Sequence, residues 1–173
     1  MKLFNNYTAP TYSTPEKGSP EYASFRYSSA RHNLLLAIVF TAVNIVLFLT
    51  GMNLYFLFSI FLPYSFFGEG LGLTVVAVLL LAVYVLAYFL SKEKKGWLTA
   101  ALVLFIIDCV CFVGLIVLCV LDGDIGTVRS SLFDLLFHIW VLISLIGGVK
   151  FGKKLEEETA QIEAAPYEDS FDE

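Results

Sequence analysis

The feature that most constrains this sequence is the run from residue 32 to residue 68, which contains no Asp, Glu, Lys or Arg. A helix needs about 20 apolar residues, each rising about 1.5 Å, to cross the hydrocarbon core of a bilayer. The run is therefore too long for one spanning helix and too short for two. Because Gly51, Met52 and Asn53 interrupt its apolar pattern, we expect the first helix to occupy residues 33–51.

Three further apolar stretches follow, and polar or charged residues separate them. Their lengths predict spanning helices at residues 71–90, 97–121 and 131–149. Hydrophobic residues make up 58% of the chain, whereas a typical soluble domain has about 45–50%. A soluble fold of 173 residues could not bury that much apolar surface. We therefore predict an all-α fold, an antiparallel four-helix transmembrane bundle formed by residues 31–150.

The segment between the first two helices, residues 54–68, is too short to span a bilayer and is rich in aromatic residues around Pro63. Aromatic side chains favour the boundary between hydrocarbon and headgroups. The composition therefore favours a segment that lies along the outer interface. The alternative is a re-entrant loop that lines a cavity, because irregular backbone is tolerated at membrane depth only inside protein.

Residues 1–30 and 151–173 are predicted to be tails on either side of the bundle. The first is polar, contains three prolines and has too little apolar area to offset chain entropy, so we expect it to be disordered. The second is basic and then strongly acidic, since eight of the sixteen acidic residues follow Lys154. Most of the sequence outside the predicted spans therefore belongs to these two tails.

The basic residues predict the orientation, because cytoplasmic segments close to a membrane carry the excess of Lys and Arg. Ten of the eleven basic residues fall in the two tails, directly beside them at residues 31 and 150, or in the loop at residues 91–96. Only Arg129 lies on the other side. The chain is thus expected to be an integral protein of the cell membrane with both termini in the cytoplasm.

Four polar residues inside the predicted spans form the candidate site, called the polar layer below: Asn44, Asp108, Asp134 and His138. Inserting an ionisable group at the bilayer centre costs about 2.5–3.5 kcal/mol on insertion scales. The presence of Asp108, Asp134 and His138 in the spans therefore indicates a structural or functional role for them. Helical rise places Asn44, Asp108 and His138 each about 16 Å above the inner boundary, and Asp134 lies about one turn below the outer one. We expect these side chains to meet inside the bundle.

Two roles fit the polar layer. In the structural one, its side chains hydrogen-bond across helix contacts, which contributes about 0.6 kcal/mol for each bond. In the functional one, the layer is a proton or cation relay in which His138 titrates between the two sides of the membrane. The sequence favours the structural role and leaves the relay open.

No other pattern predicts chemistry. Cys109, Cys111 and Cys119 lie in one predicted helix and are expected to pack as small apolar side chains, without disulfides. Gly148 and Gly152 form one GxxxG pattern, which often occurs by chance. A single histidine with two carboxylates and no nucleophile is too little for an active site, so we expect no enzyme activity and no bound cofactor or metal.

One part of the sequence resembles a group of known proteins. The stretch Asn33-Leu-Leu-Leu-Ala-Ile-Val-Phe-Thr-Ala-Val-Asn44, with Tyr55-Phe-Leu-Phe-Ser59 and Pro63-Tyr64 after it, resembles small four-helix bacterial membrane proteins of the gut Gram-positive type. The resemblance covers the first helix and the aromatic segment. It implies a bacterial cytoplasmic membrane, and it brings no activity and no site residues with it.

These observations predict a non-enzymatic interaction or regulatory component of the membrane. Its expected partners are the lipid bilayer, a protein recruited by the cytoplasmic tails and a second copy of the chain, with no nucleic acid among them. The alternative is a small proton-coupled transporter or channel subunit that uses the polar layer. A single bundle of four helices is small for a complete transport pathway, so a transporter would need to dimerise.

Overall fold

The computed structural model describes residues 15–52 and 58–164 of the chain. Their helices are α1 (Pro20–Leu49), α2 (Phe61–Phe66), α3 (Leu71–Leu90), α4 (Gly96–Leu121) and α5 (Ile125–Ala164). Within these ranges, α1, α3, α4 and α5 are long and apolar enough to span a bilayer. The predictions for residues 1–14, 53–57 and 165–173 fall outside the described part of the chain. The molecule is thus a multi-pass membrane protein with four spans.

The four long helices pack antiparallel in a ring that follows chain order, and α5 closes the ring against α1. The start of α1 and the end of α5 therefore lie on one side of the bundle, together with the α3–α4 loop; we call this side the termini face. The α4–α5 loop and the α1–α3 connection lie on the opposite side, the connector face. Helix α2 belongs to that connection and packs against α3, α4 and α1.

The inward faces of the helices follow a spacing of three and four residues. On α1 the buried positions are Ala23, Tyr27, Ala30, Leu34, Ala37, Ile38, Thr41 and Asn44. This spacing keeps one stripe of each helix against its neighbour, as in left-handed bundles. No more than 33% of any spanning window is buried, so most of the apolar surface faces outward, where lipid would cover it.

Small residues let α1 and α5 approach closely. A Cβ atom added at Gly148 of α5 would overlap the Cβ atom of Ala30 on α1. One added at Gly152 would lie 2.9 Å from the ring of Tyr27, which is also on α1. The GxxxG pattern is therefore part of an internal helix contact, because a larger side chain at either glycine would push the two helices apart.

Two helices extend further than the sequence indicated. Helix α1 begins at Pro20, so residues 20–30 are helical and do not belong to the predicted tail, and α5 continues through residues 151–164. The start of α1 is fixed by Ser19, whose side chain accepts a hydrogen bond from the Tyr22 amide at 3.1 Å, with proline at the first helical position. The rings of Tyr22 and Phe151 then pack edge to face, 5.5 Å apart, and support both extensions. The bounds of α3 and α4 lie within one residue of those predicted.

A polar cluster at the termini face ties α1 to the end of α3. The Arg31 Nε donates to the Ser91 hydroxyl at 2.9 Å, and its Nη2 donates to the Tyr88 carbonyl at 3.1 Å. The Tyr27 hydroxyl donates to the Ser91 carbonyl. A cation at a helix C-terminus satisfies its free carbonyls and opposes the negative end of its dipole. The cluster therefore holds the last turn of α3 against α1.

The close α1–α5 contact generates the first prediction. The substitution Gly148→Ala should lower the free energy of unfolding by about 1–3 kcal/mol, because the new methyl group overlaps Ala30. Thermal unfolding of the purified protein in lipid nanodiscs measures this change. A control variant is Gly114→Ala on α4, where an added Cβ meets open space, and it should be neutral or stabilising by up to about 1 kcal/mol.

A compensating exchange tests the same contact directly. In the double variant Ala30→Gly with Gly148→Ala, the methyl group moves from one helix to the other, so most of the lost stability should return. If Gly148→Ala were as stable as Gly114→Ala, the close contact between α1 and α5 would be wrong.

Candidate functional site

All four residues of the polar layer are buried, with side chains from α1, α4 and α5. Asp108 is fully buried on α4, twelve residues after Gly96 and thirteen before Leu121. The helical rise puts it about 18–20 Å from each end of that helix, close to its middle. Asn44 lies on α1 and is buried as well. Asp108 therefore lies near mid-depth in the bundle, and so does His138, which contacts it. Asn44 and Asp134 lie closer to the connector face, near the end of α1 and the start of α5.

Asp108 and His138 contact each other directly. The His138 Nε2 lies 3.2 Å from the Asp108 Oδ2, and the imidazole Nδ1 lies 2.7 Å from the backbone carbonyl of Asp134. Because a carbonyl oxygen can only accept, the Nδ1 carries a hydrogen. The contact between Nε2 and the carboxylate joins α5 to α4 inside the bundle.

The imidazole of His138 is held between aromatic rings. Phe112 stacks on it with centroids 4.6 Å apart, and Phe105 stacks at 5.5 Å. Phe137 meets it edge to face. These contacts fix the plane of the ring, so that its two nitrogen atoms can reach only Asp108 and the α5 backbone.

The same Asp108 carboxylate holds the start of α2. The Leu62 amide donates to the Oδ1 at 2.7 Å, and the Phe61 amide donates to the Oδ2 at 3.1 Å. The first amide groups of any helix lack partners within the helix, and Ile60 at the N-cap of α2 has no side chain that could serve. Pro63, the next residue, has no N–H group. A carboxylate from another helix therefore caps α2.

Two more side chains bind the backbone before α2. The Ile60 amide donates to the Thr41 hydroxyl of α1 at 2.8 Å, and the Phe58 amide donates to the Asp134 Oδ1 of α5 at 2.9 Å. The Thr41 hydroxyl in turn donates to the Ala37 carbonyl at 2.7 Å. Side chains from α1, α4 and α5 thus satisfy backbone donors that would each cost several kcal/mol if left unpaired at membrane depth.

These bonds place residues 58–62 inside the bundle. Ser59 and Ile60 are fully buried, and the backbone reaches the level of Asp108. Residues 58–62 thus lie among the spanning helices, as the re-entrant alternative expects, and the aromatic segment predicted after the first helix is present. The physical reason is that buried side chains of α1, α4 and α5 accept from their amide groups, so these donors are satisfied away from water.

The aromatic cluster indicated by the sequence is present around this segment. The Phe58 ring lies 4.9 Å from Phe137 and 6.0 Å from Phe40, and Phe61 lies 5.3 Å from Phe112. Phe58 has a φ angle of 85°, in the left-handed region that non-glycine residues rarely adopt. Its ring packing and its bond to Asp134 offset the cost of that conformation.

A cleft of about 320 Å³ opens between α2, α4 and α5. It is named the connector cleft here, and its lining includes the aromatic residues Phe61, Tyr64 and Phe112 and the polar residues Ser130, Ser131 and Asp134. Asp134 lies nine residues after the start of α5, about 13 Å along the helix axis. The cleft therefore leads inward to a buried carboxylate that is one helical turn from His138.

The backbone of the re-entrant segment is what sequence reasoning missed. Spacing along helices predicts which side chains share a face, but it does not show that Asp108 and Asp134 accept from residues 58–62. One signal was available: an apolar segment too short to span, located between helices that carry buried carboxylates. Such a segment needs acceptors if it enters the membrane.

Within residues 15–52 and 58–164, no group of three His, Cys, Asp or Glu side chains could hold a metal ion. The three cysteines are free thiols on α4. Comparison of the chain with protein-family models, with curated proteins and with solved structures finds no match. The four long apolar helices show the architecture of a four-helix membrane protein. The resemblance to the bacterial proteins stays a prediction.

The cap on α2 generates the second prediction. The substitution Asp108→Asn should lower the free energy of unfolding by about 2–4 kcal/mol, because the amide keeps one acceptor and leaves a backbone donor of α2 without a partner. Thermal unfolding in nanodiscs measures the loss. Hydrogen exchange at the amides of Phe61 and Leu62 should accelerate in the same variant.

The matched control for this prediction is Asp122→Asn, at an exposed position on the connector face. It should change the free energy of unfolding by less than about 0.5 kcal/mol. Equal melting temperatures for the two variants, with unchanged exchange at residues 61 and 62, would contradict the capping role of Asp108.

Proposed function

We propose that this protein is a non-enzymatic component of the membrane that binds another protein at its termini face. The observation that supports this most is the length of α5. Its 40 residues extend about 60 Å, whereas the hydrocarbon core of a bilayer is about 30 Å thick. The surplus projects from the termini face as a regular helix, beyond the part that lipid would cover.

The projecting part of α5 offers a surface that the bundle itself does not use. Leu155 is the last of its residues packed against the hydrophobic core. Beyond it, Glu156 and Glu157 are exposed, and Glu158 forms an ion pair at 3.6 Å with Lys154, the residue before Leu155. A preformed charged helix is a low-entropy docking element, since binding does not have to order it.

The bonding of the polar layer also supports a role without transport chemistry. Asp108 accepts from α2 and pairs with His138, and Asp134 accepts from the Phe58 amide. Each bond connects a side chain to the chain's own backbone or to another member of the layer. The costly carboxylates therefore have structural uses that explain their presence in the spans.

We further propose that the termini face is cytoplasmic and that the membrane is the cell membrane. In the described part of the chain, Arg129 is the basic residue on the connector-face end of α5, and the other Lys and Arg residues lie at the termini face. An asymmetry of this kind sets orientation during insertion. A partner would then be a cytoplasmic protein or a cytoplasmic part of another membrane protein.

Site-specific photo-crosslinking in native membranes tests the interaction. A photoreactive residue at position 157, on the projecting part of α5, should give one reproducible protein adduct. The same residue at position 110, where Val110 faces outward in the middle of α4, should give lipid adducts or none. Inverted vesicles should expose position 157 to added protease, and right-side-out vesicles should protect it.

Reversing charge supplies the control for specificity. For this test the photoreactive residue is moved to the exposed position 153, where it should give the same protein adduct. The double variant Glu156→Lys with Glu157→Lys should weaken that adduct, because it reverses the surface charge and leaves the packed residue Leu155 in place. Recovery of monomer alone, or of identical adducts from positions 157 and 110, would count against an interaction at the termini face.

The alternative function is a small proton-coupled transporter or channel subunit, assembled from two copies of the chain. The connector cleft is the observation that favours it, because the cleft leads to Asp134 and thus to the neighbourhood of the Asp108–His138 pair. A buried carboxylate that communicates with a cleft is a common element of proton pathways.

Proton flux into liposomes that contain the purified protein tests the alternative. A transporter should show flux above that of empty liposomes, and the flux should fall at least about tenfold in Asp108→Asn and in Asp134→Asn. Circular dichroism of both variants must first show native helix content. Flux that equals the empty liposomes, or that both variants retain, would exclude the polar layer as a proton carrier.

A further inference from the structure

One side of the α1–α5 contact forms a groove on the outer surface of the bundle, called the lateral groove here. On α1 it follows positions 26, 29, 33, 36 and 40, and on α5 it follows positions 133, 136, 140, 143, 147 and 150. A spacing of three and four residues keeps each set on one side of its helix. Between the two ends, the Asn33 amide group donates to the Ser144 hydroxyl at 2.7 Å, and this bond joins the two helices.

At the termini-face end of the lateral groove, Arg26 of α1 packs against Gly147 of α5. The Arg26 Nη2 lies 3.2 Å from the position that a Cβ atom would take at Gly147. The Arg26 Nε is buried without a hydrogen-bond partner, and no side chain within residues 15–52 and 58–164 forms an ion pair with this guanidinium. Arg31 differs, because its donors bind Ser91 and the Tyr88 carbonyl. The described part of the protein therefore provides no acceptor for the donors of Arg26.

Lys150 adds a second positive charge at the same end of the lateral groove. It is exposed and lies three residues after Gly147, on the same side of α5. It is also the first Lys, Arg, Asp or Glu of α5 after Asp134, so the hydrocarbon region ends close to this level. The next lysine on this side, Lys154, already pairs with Glu158 at 3.6 Å. Two cations without an anionic partner among the described residues therefore lie near the depth of the lipid headgroups.

An apolar cleft of about 450 Å³, called the lateral cleft here, lies further along the groove. Its lining includes Leu36 and Phe40 of α1 and Leu136 and Trp140 of α5. Trp140 is seven residues from Gly147 and Leu136 is eleven, so helical rise places them about 10 Å and 16 Å further into the membrane. One leaflet supplies about half of the roughly 30 Å hydrocarbon core. An acyl chain whose headgroup lies at the basic end would therefore reach the lateral cleft.

We propose that the lateral groove binds one anionic phospholipid of the leaflet at the termini face. Arg26 and Lys150 bind its phosphate group, and one acyl chain fills the lateral cleft. An arginine presents parallel N–H donors that match two phosphate oxygens. Lys150 repels the ammonium group of a zwitterionic headgroup, so a lipid with net negative charge is preferred. The site is separate from the projecting part of α5, so it does not depend on the proposed protein partner.

Quenching of Trp140 fluorescence by brominated lipids tests the site, because Trp140 lines the lateral cleft. The chain has two tryptophans, so the variant Trp97→Phe leaves Trp140 as the reporter. This variant is placed in vesicles of phosphatidylglycerol and phosphatidylcholine, with bromine on the acyl chains of one lipid at a time. We expect phosphatidylglycerol to associate at the cleft at least about fivefold more strongly than phosphatidylcholine.

Charge removal shows whether the basic end selects the lipid. Arg26→Gln and Lys150→Gln, each added to the reporter variant, should lower the preference for phosphatidylglycerol by about threefold or more. Lys153→Gln is the matched control, because Lys153 is exposed on another side of α5, and the preference should stay unchanged. A second reporter variant, Trp140→Phe, monitors Trp97 on α4. Its quenching should not respond to Arg26→Gln, because the lateral groove lies between α1 and α5.

Glycerol 3-phosphate separates a lipid from a soluble phosphate, since it has the phosphate group of the lipid without the acyl chains. Added in excess at constant ionic strength, it should leave the preference of Trp140 for phosphatidylglycerol unchanged. Loss of that preference would show that soluble phosphates occupy the basic end, and it would overturn the assignment to a lipid.

Equal association of the two lipids with the reporter variant would also overturn the proposal. So would a preference that either Arg26→Gln or Lys150→Gln retains in full. Circular dichroism must show native helix content for each variant before the comparison. If Arg26→Gln does not fold, the exposed Lys150→Gln decides the matter, and an unchanged preference in that variant would count as refutation.

Discussion

The carboxylate of Asp108 is the interaction on which the rest of this structure depends. It accepts from two amide groups at the start of α2 and contacts His138 on α5, so one side chain of α4 connects three elements. The hydrocarbon region supplies no water to satisfy a helix terminus. Without an internal acceptor the segment before α2 could not remain at this depth, and the opening between α1, α3 and α4 would lose the element that fills it.

The two ends of the bundle are held by different physical means. At the connector face, buried side chains bind backbone donors, and Thr41 repeats on α1 what Asp108 does on α4. At the termini face, Arg31 binds the free carbonyls at the end of α3 while glycine and alanine bring α1 against α5. Donors are satisfied on one side and acceptors on the other. Both follow from the rule that helix ends need partners.

This division also separates the two proposed functions, the interaction and the alternative of transport. The projecting part of α5 is a preformed surface at the termini face, and the connector cleft with Asp134 is a concave site at the other. The polar layer lies between them, and its bonds connect α2, α4 and α5. The segment before α2 donates to both carboxylates, so it connects the inner end of the cleft at Asp134 with Asp108 in the middle of the bundle.

The sequence by itself determined the number of spanning helices and the bounds of α3 and α4 to within one residue, because hydrocarbon thickness and helical rise set the length of a spanning helix. It did not determine the extensions of α1 and α5, which depend on the contact of Tyr22 with Phe151. Only the tertiary structure decided that the aromatic segment enters the bundle and that Asp108 caps it. The reason is that residue types do not show which acceptor a backbone amide group binds. Here the acceptors lie on helices that are distant along the chain.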